Sequence, residues 1–410
     1  MDSKLAILHQ SLVGRLATVK DEVIGLSRFI HENVEVSGEE FLCSARICDV
    51  LYGHGFRVRR KIAGLETSFV GEYGSPDAET SVAFLCEFDG LPPYGQSCGH
   101  NVVSASSVGA ALLLLPFVEE LDLRIVVIGT PAEETFGGKY ALADAGVFKG
   151  LNAALLIYPG MDDIAASRAL CATGLKVEVT GQAAHAAAHP ELGRSALDGL
   201  ILGYVAMSTL RQFLPSSVRV HAIIKNGGTH PQIVPDFAEA SVVVRAPDLM
   251  TLETAKSRVV ECFNGAGSQT GTTVTLTEGV RISEALLPNA TLARAYETAL
   301  RMIGREPQPT DPLAGAWSTD AGYLSRFVPL LQPQLKMTSR TISPHSNEFH
   351  TASSGKDAND ATVAAALSLA ISAVQIALDE DLRIQIMKDY EAALDLRTVE
   401  VNATTQNHQE

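Results

Sequence analysis

No run of Lys and Arg in this chain is long enough to grip a nucleic-acid backbone or an anionic membrane surface. Lys and Arg number 32 against 47 Asp and Glu, for a formal net charge of −15, and the acids are spread along the chain. Such a surface repels phosphate backbones and argues against nucleic acid as a partner. Apolar runs of membrane-spanning length are missing too. The longest, Val108 to Val118, is too short and is interrupted by Pro116. The opening segment MDSKLAILHQSLVGRLATVKDEV carries acids and lacks the apolar stretch of a signal peptide. The six cysteines lie far apart, which favours thiols or metal ligands over a disulfide framework. A cytoplasmic protein is expected, with no membrane partner. Internal repeats are absent, and the one biased segment is a polar tail after Thr398.

What is present is a soluble balance of 46% hydrophobic and 19% charged residues over 410 positions, enough for two domains. From about Ala6 to Phe56 apolar residues recur at three- and four-residue steps, predicting two helices, the second closed by Gly53 and Gly55. Strand-like runs SFVGEY and SVAFLCEFD follow. Next come a helix over 104–120, the strand LRIVVIGT, a helix near 138–145 and the strand AALLIYP. This alternation predicts an α/β fold with a central sheet flanked by helices. The pattern then changes to LKVEVTG, a helix over 195–213, VRVHAIIKNGG, FAEASVVVRAP, a helix over 252–263 and TTVTLTEG. That order is βαββαβ, ferredoxin-like. Long helices return at 292–303 and 362–378. The expected architecture is a catalytic domain of residues 1–170 and 281–410, with an inserted ferredoxin-like domain over 171–280.

Several residues carry chemistry. Cys98 and His100, two apart beyond the carboxyl end of a strand, can hold one borderline-soft cation; a buried Cys beside a satisfied His is the reading that this spacing alone favours. Asp89 is either a carboxylate that fixes a ligand imidazole or a turn-forming Asp before Gly90. Glu133 and Glu134 follow an apolar strand. One can bind an ion while the other takes a proton from water, or both can simply favour a helix N-terminus. His345 in SPHSNEF and His185 in GQAAHAAAHP are loop histidines. Arg245 ends a strand and can pair with a substrate carboxylate, or be an ordinary surface Arg.

Taken in order, these pieces resemble one family. CEFDGLPPYGQSCGHN, GTPAEETFGGKYALADAGVF, GQAAHAAAHPELGRSALDG, IVPDFAEASVVVRAP, WSTDAG and PHSNEF resemble successive blocks of the aminoacylase/carboxypeptidase-G type metallopeptidases. The likeness covers nearly the whole chain, from IHENVEVSGEE to the final helix, and the CGHN and GTPAEE segments are similar to the aminoacylase-1-like amidohydrolase branch that includes β-alanyl-dipeptide hydrolases. The resemblance implies that Cys98, His100, Glu134 and His345 are metal ligands, that Glu133 is the general base and that Asp89 is the orienting acid. It implies that His185 stabilises the tetrahedral intermediate in a partner subunit's site, hence a homodimer, and that the inserted domain is a lid and dimerisation domain. Arg245 and Gln232 fall in the substrate region. One or two divalent ions per chain are implied, zinc first and manganese second.

Two departures stand out. Tyr158 occupies the place of a metal-ligating His, and Gln232 replaces an Asn; the first questions the second metal and the other the usual substrate. Metal-dependent hydrolysis of an amide in a small dipeptide-like or N-acyl amino acid substrate is the leading expectation. Amide formation or rearrangement on the same scaffold is one alternative, and a catalytically silent binding homologue is another.

Overall fold

The computed structural model describes residues 2–135, 137–279, 282–309 and 317–407. The expected domain boundary at 280–281 lies outside them. Among the described residues the strands are, in chain order, β1 (Arg57–Arg60), β2 (Phe69–Tyr73), β3 (Thr80–Cys86), β4 (Leu123–Gly129), β5 (Ala153–Leu155), β6 (Tyr158–Gly160), β7 (Cys171–Thr180), β8 (Arg219–Asn226), β9 (Phe237–Ala246), β10 (Thr273–Glu278), β11 (Leu330–Leu331) and β12 (Gln334–Lys336). The chain forms two compact units. One comprises Met1–Arg168, Leu286–Gly315 and Tyr323–Asp395, and the other Ala169–Ala285, Ala316–Gly322 and Leu396–Glu410.

The first unit holds a six-stranded sheet ordered β1-β2-β4-β3-β5-β11, in which β4, β3, β5 and β11 run parallel. Every residue of β3 is buried, as expected of a central parallel strand covered on both faces. The helix Asp2–Glu32 docks through Leu5, Leu8, Leu12, Val19, Val23, Leu26 and Ile30, a seam at helical spacing. The helix His100–Leu114 is buried all round, so its polar side chains need internal partners; Ser104 and Ser107 donate to the Glu87 and Leu85 carbonyls. It begins at His100 rather than Ser104, because Gly99, at φ 74°, turns the chain directly into it. Among the described residues, the helical stretches His100–Phe117 and Gly355–Leu378 are long and apolar enough for membrane spans, yet they are largely buried within the protein.

The segment read as one strand, AALLIYP, is two. β5 pairs with β3 as far as Phe84–Leu155, whereas β6 pairs in parallel with β12 in a separate two-stranded sheet. Seven consecutive apolar and aromatic residues carry no sign of a change of partner. The polar tail after Thr398 continues a helix, Glu380–Asn407.

In the second unit the βαββαβ order appears as expected, with an antiparallel sheet ordered β10-β7-β9-β8. β9 alternates strictly, burying Ala238, Ala240, Val242, Val244 and Ala246. Helices Ala196–Leu210 and Leu249–Thr270 cover that face; Ser195 and Asp248 cap them by accepting from the N–H groups of Asp198 and Thr251. The helices approach so closely that a Cβ at Gly203 would stand 2.4 Å from the Phe263 ring.

Candidate metal and catalytic centre

Parallel pairing assembles the site in the first unit. β3 and β4 end side by side, with Cys86 opposite Gly129, and Thr130 N–H donates to the Cys86 carbonyl at 2.8 Å. The residues just past these ends, Glu87 to Asp89 and Pro131 to Glu134, are therefore neighbours. β5 lies on the other side of β3 and leads to Tyr158. Sites at the carboxyl ends of parallel strands are the rule in open α/β sheets.

Among the described residues, two groups of ligand atoms form wholly within this unit, each mutually within 4.8 Å: Cys98, Glu134 and His345, and His100, Glu133 and Glu134. Glu134 belongs to both. His345 Nε2 is 3.9 Å from Glu134 Oε2, and His100 Nε2 is 3.9 Å from Glu133 Oε2. His100 Nδ1 lies 2.8 Å from the Asp89 carbonyl and 3.1 Å from its carboxylate, so Nε2 is the nitrogen left for a ligand. Asp89 in turn accepts from the Ser37 hydroxyl at 2.7 Å and the Glu134 N–H at 3.0 Å. Burial opposes ionisation of Asp89, but His100 and these two donors outweigh it and bring the pKa down to about 2. Burial also opposes charge on His100, yet the Asp89 bond and the fields of Asp89, Glu87 and Glu134 raise its pKa well above the usual value. Cys98 is pushed up, first by burial and then by Glu134. Tyr158 is pushed up by burial and then by Cys98, Glu133, Glu134 and Glu87, which keeps it a neutral phenol.

The helix beginning at Gly138 starts too late to cap Glu133 and Glu134, which stand in a turn instead. Ala132, at φ 61°, sets that turn, and its N–H donates to the buried Glu40 carboxylate at 2.8 Å. Sequence reasoning passed over Glu40, although SGEE lay in the resemblance; nothing local marks it as a brace for a loop far along the chain. It passed over Glu87 and Lys139 too. Lys139 Nζ, with a fully buried side chain, is 2.7 Å from Glu87 Oε1. Four buried or nearly buried carboxyl groups, Glu87, Asp89, Glu133 and Glu134, thus gather around the buried Lys139 and His100, with the exposed His345 beside Glu134. Such a set is costly without a compensating cation, and its N, O and S donors fit a divalent metal ion.

Gly99 ties the Cys-Gly-His loop to the strand bearing Tyr158: a Cβ there would stand 3.0 Å from the Pro159 ring. The remaining expected residues lie in the second unit. His185 and Gln232 are exposed and share one loop pair, bridged at His185–Ile233 and by Ala186 N–H to the Gln232 carbonyl at 3.0 Å. His185 Nδ1 accepts from the N–H groups of Ala187 and Ala188, so a neutral ring carries its proton on Nε2. Arg245 lies in β9, with its Nε buried and without a hydrogen-bond partner.

A mixed sheet with clustered acids, thiol and imidazoles at the ends of its parallel strands, in a chain that also folds an antiparallel βαββαβ unit, defines a class of metallohydrolase. Residues 172–270 match the model of a peptidase dimerisation domain, M20_dimer. The chain is 33% identical over 342 residues to an Xaa-Arg dipeptidase of Mus musculus, covering 81% of this chain and 79% of that one. It is 28% identical over 279 residues to an N-acetyl-L-cysteine deacetylase of Bacillus subtilis, covering 62% and 66%. The crystal structure of a dinuclear metal binding peptidase from the M20 family, also of Bacillus subtilis, superposes with a TM-score of 0.66 at 18% identity, over 88% of this chain and 99% of that one. The chain belongs to the M20 peptidase family, in its amidohydrolase and dipeptidase group.

Proposed function

We infer that this chain is a metal-dependent hydrolase that cleaves the amide bond of a small dipeptide or N-acyl amino acid. The observation that carries the reading is Glu134, shared by two ligand groups beside a second carboxylate, Glu133, that stands outside the Asp89–His100 pair. Zinc suits a set containing a thiol and imidazoles, with Cys98, His100, Glu134 and His345 as its holders. A divalent ion held there supplies Lewis acidity toward the scissile carbonyl and the attacking water. Glu133 removes the proton from that water and returns it to the leaving amine. Asp89 holds His100 by Nδ1, which leaves Nε2 as the nitrogen that would hold an ion. The Nε2–H of His185 is a donor suited to the developing oxyanion.

The His185 donor acts in the site of a second copy of the chain. Support comes from the match to a dimerisation domain and from the open edge of the inserted sheet: Ile223 on β8 is 61% exposed, and Phe213 ahead of it 68%. The inserted residues 171–280 serve as lid and dimerisation domain, with Arg245 and Gln232 as substrate-binding residues, while 1–170 and 281–410 carry the metal. The test is a panel of dipeptides, including Xaa-Arg and β-alanyl dipeptides, and N-acyl amino acids, each assayed with zinc-loaded and chelator-stripped protein. Hydrolysis that disappears on stripping and returns with zinc supports the reading. Hydrolysis unaffected by stripping overturns it.

A further inference from the structure

One carboxylate of the centre has no part in that mechanism. Glu87 directly follows β3, and its side chain is 4% exposed. Its Oε1 is held at 2.7 Å by Lys139 Nζ, whose side chain has no exposed surface. Its Oε2 stands 3.6 Å from His100 Nε2. That separation is too long for a direct hydrogen bond. It suits two atoms that share an ion: ligands about 2.1 Å from zinc and set near the tetrahedral angle are about 3.4 Å apart. His100 Nδ1 is committed to Asp89, so Glu87 and Nε2 face each other across the one side of the ring open to an ion.

Lys139 explains why Glu87 keeps this pose. Gly138 N–H donates to the Pro131 carbonyl at 3.0 Å, and a Cβ at Gly138 would fall 2.2 Å from that oxygen. The start of the helix Gly138–Asp144 is therefore clamped to the loop leaving β4, which delivers Lys139 to Glu87. A buried ammonium needs a charged partner, and a carboxylate anchored through one oxygen has the other oriented. A pair that served only to neutralise the lysine would not need its second oxygen turned to an imidazole.

We propose that Glu87 is a metal ligand alongside His100, supplying the donor that is missing where this chain has Tyr158, and that Lys139 is the residue that positions it. The proposal rests on the metal-centre reading above and adds a ligand to it. It places Glu87 on the His100 side of the centre, away from the Cys98 and His345 group.

The experiment is a zinc titration of the full chain against a chromogenic chelator, with cobalt(II) absorption as a second readout. Wild type is compared with Glu87→Gln, Lys139→Met, Glu87→His and the double variant Glu87→Gln/Lys139→Met. Glu87→Gln keeps the shape and a hydrogen-bonding oxygen for Lys139. It should weaken the affected zinc by about 10- to 100-fold and change the cobalt spectrum, with the remaining site unchanged. Glu87→His, which supplies an imidazole, should recover much of the affinity. Lys139→Met should weaken zinc about tenfold through misplacement of Glu87. The double variant removes the buried charge pair as a unit; should either single variant fail to fold, it carries the same zinc prediction as Glu87→Gln. Wild-type zinc affinity and an unchanged cobalt spectrum in the folded Glu87 variants overturn the proposal while leaving the metal-centre reading intact. A wild-type chain that binds neither zinc nor cobalt overturns both.

Discussion

The first unit keeps most of its chemistry inside, with His345 its exposed member, whereas the second displays His185 and Gln232. Asp89, His100, Glu134 and Cys98 are buried or nearly so, and the Ser37 hydroxyl, the Glu134 N–H and the Asp89 carbonyl that orient Asp89 and His100 belong to the same unit. His185 and Gln232 stand on exposed loops, beside a sheet edge with Ile223 and Ile224 exposed. A centre that must hold charge out of water needs rigid partners on every side, whereas a group that works in a neighbouring subunit has to be presented outward. The two regions therefore answer differently to substitution.

The largest effect belongs to the buried centre. Glu133→Gln should lower turnover about 100-fold or more while zinc content and thermal stability stay at wild-type values. Normal turnover by this variant would show that another group moves the proton. Next is the link between the two regions. Mixing inactive His185→Ala with inactive Glu133→Gln chains, after verified subunit exchange, should restore up to about a quarter of wild-type activity, since half the dimers would be mixed and each would hold one intact site. Absence of recovery would confine His185 to its own chain.

Tyr158 sharpens the comparison within the centre. An imidazole binds zinc without first losing a proton, whereas this phenol is pushed further from ionisation by burial and four neighbouring acidic groups. Tyr158→His should tighten zinc about tenfold, and in that background the loss caused by Glu87→Gln should shrink. Two tightly held zinc ions in the wild type, by elemental analysis, would show that the tyrosine has cost the chain no metal. The smallest folding effect is expected at the displayed edge. Ile223→Asp should shift the chain from dimer to monomer by light scattering, yet change unfolding free energy by no more than about 0.5 kcal/mol, as for other exposed positions. A persistent dimer would move the interface away from β8.

The inserted unit was legible because its signals are local. Alternation in FAEASVVVRAP, helical spacing after Ser195 and Asp248, and the caps themselves suffice to order its elements. The candidate ligands of the first unit were legible as an ordered series of motifs, each weak alone. The sequence by itself therefore determined the two-part α/β plan and the βαββαβ insertion, and it pointed to Cys98, His100, Glu133, Glu134 and His345, which the structure gathers, but not to Glu87. Tertiary structure alone decided that AALLIYP changes sheets, that Glu40 braces the turn before Glu133, and that Lys139 meets Glu87. The reason is physical. Each depends on which strand end lies beside which, and β3 and β4 meet through a register set by burial over the whole sheet, with no mark on the residues they bring together.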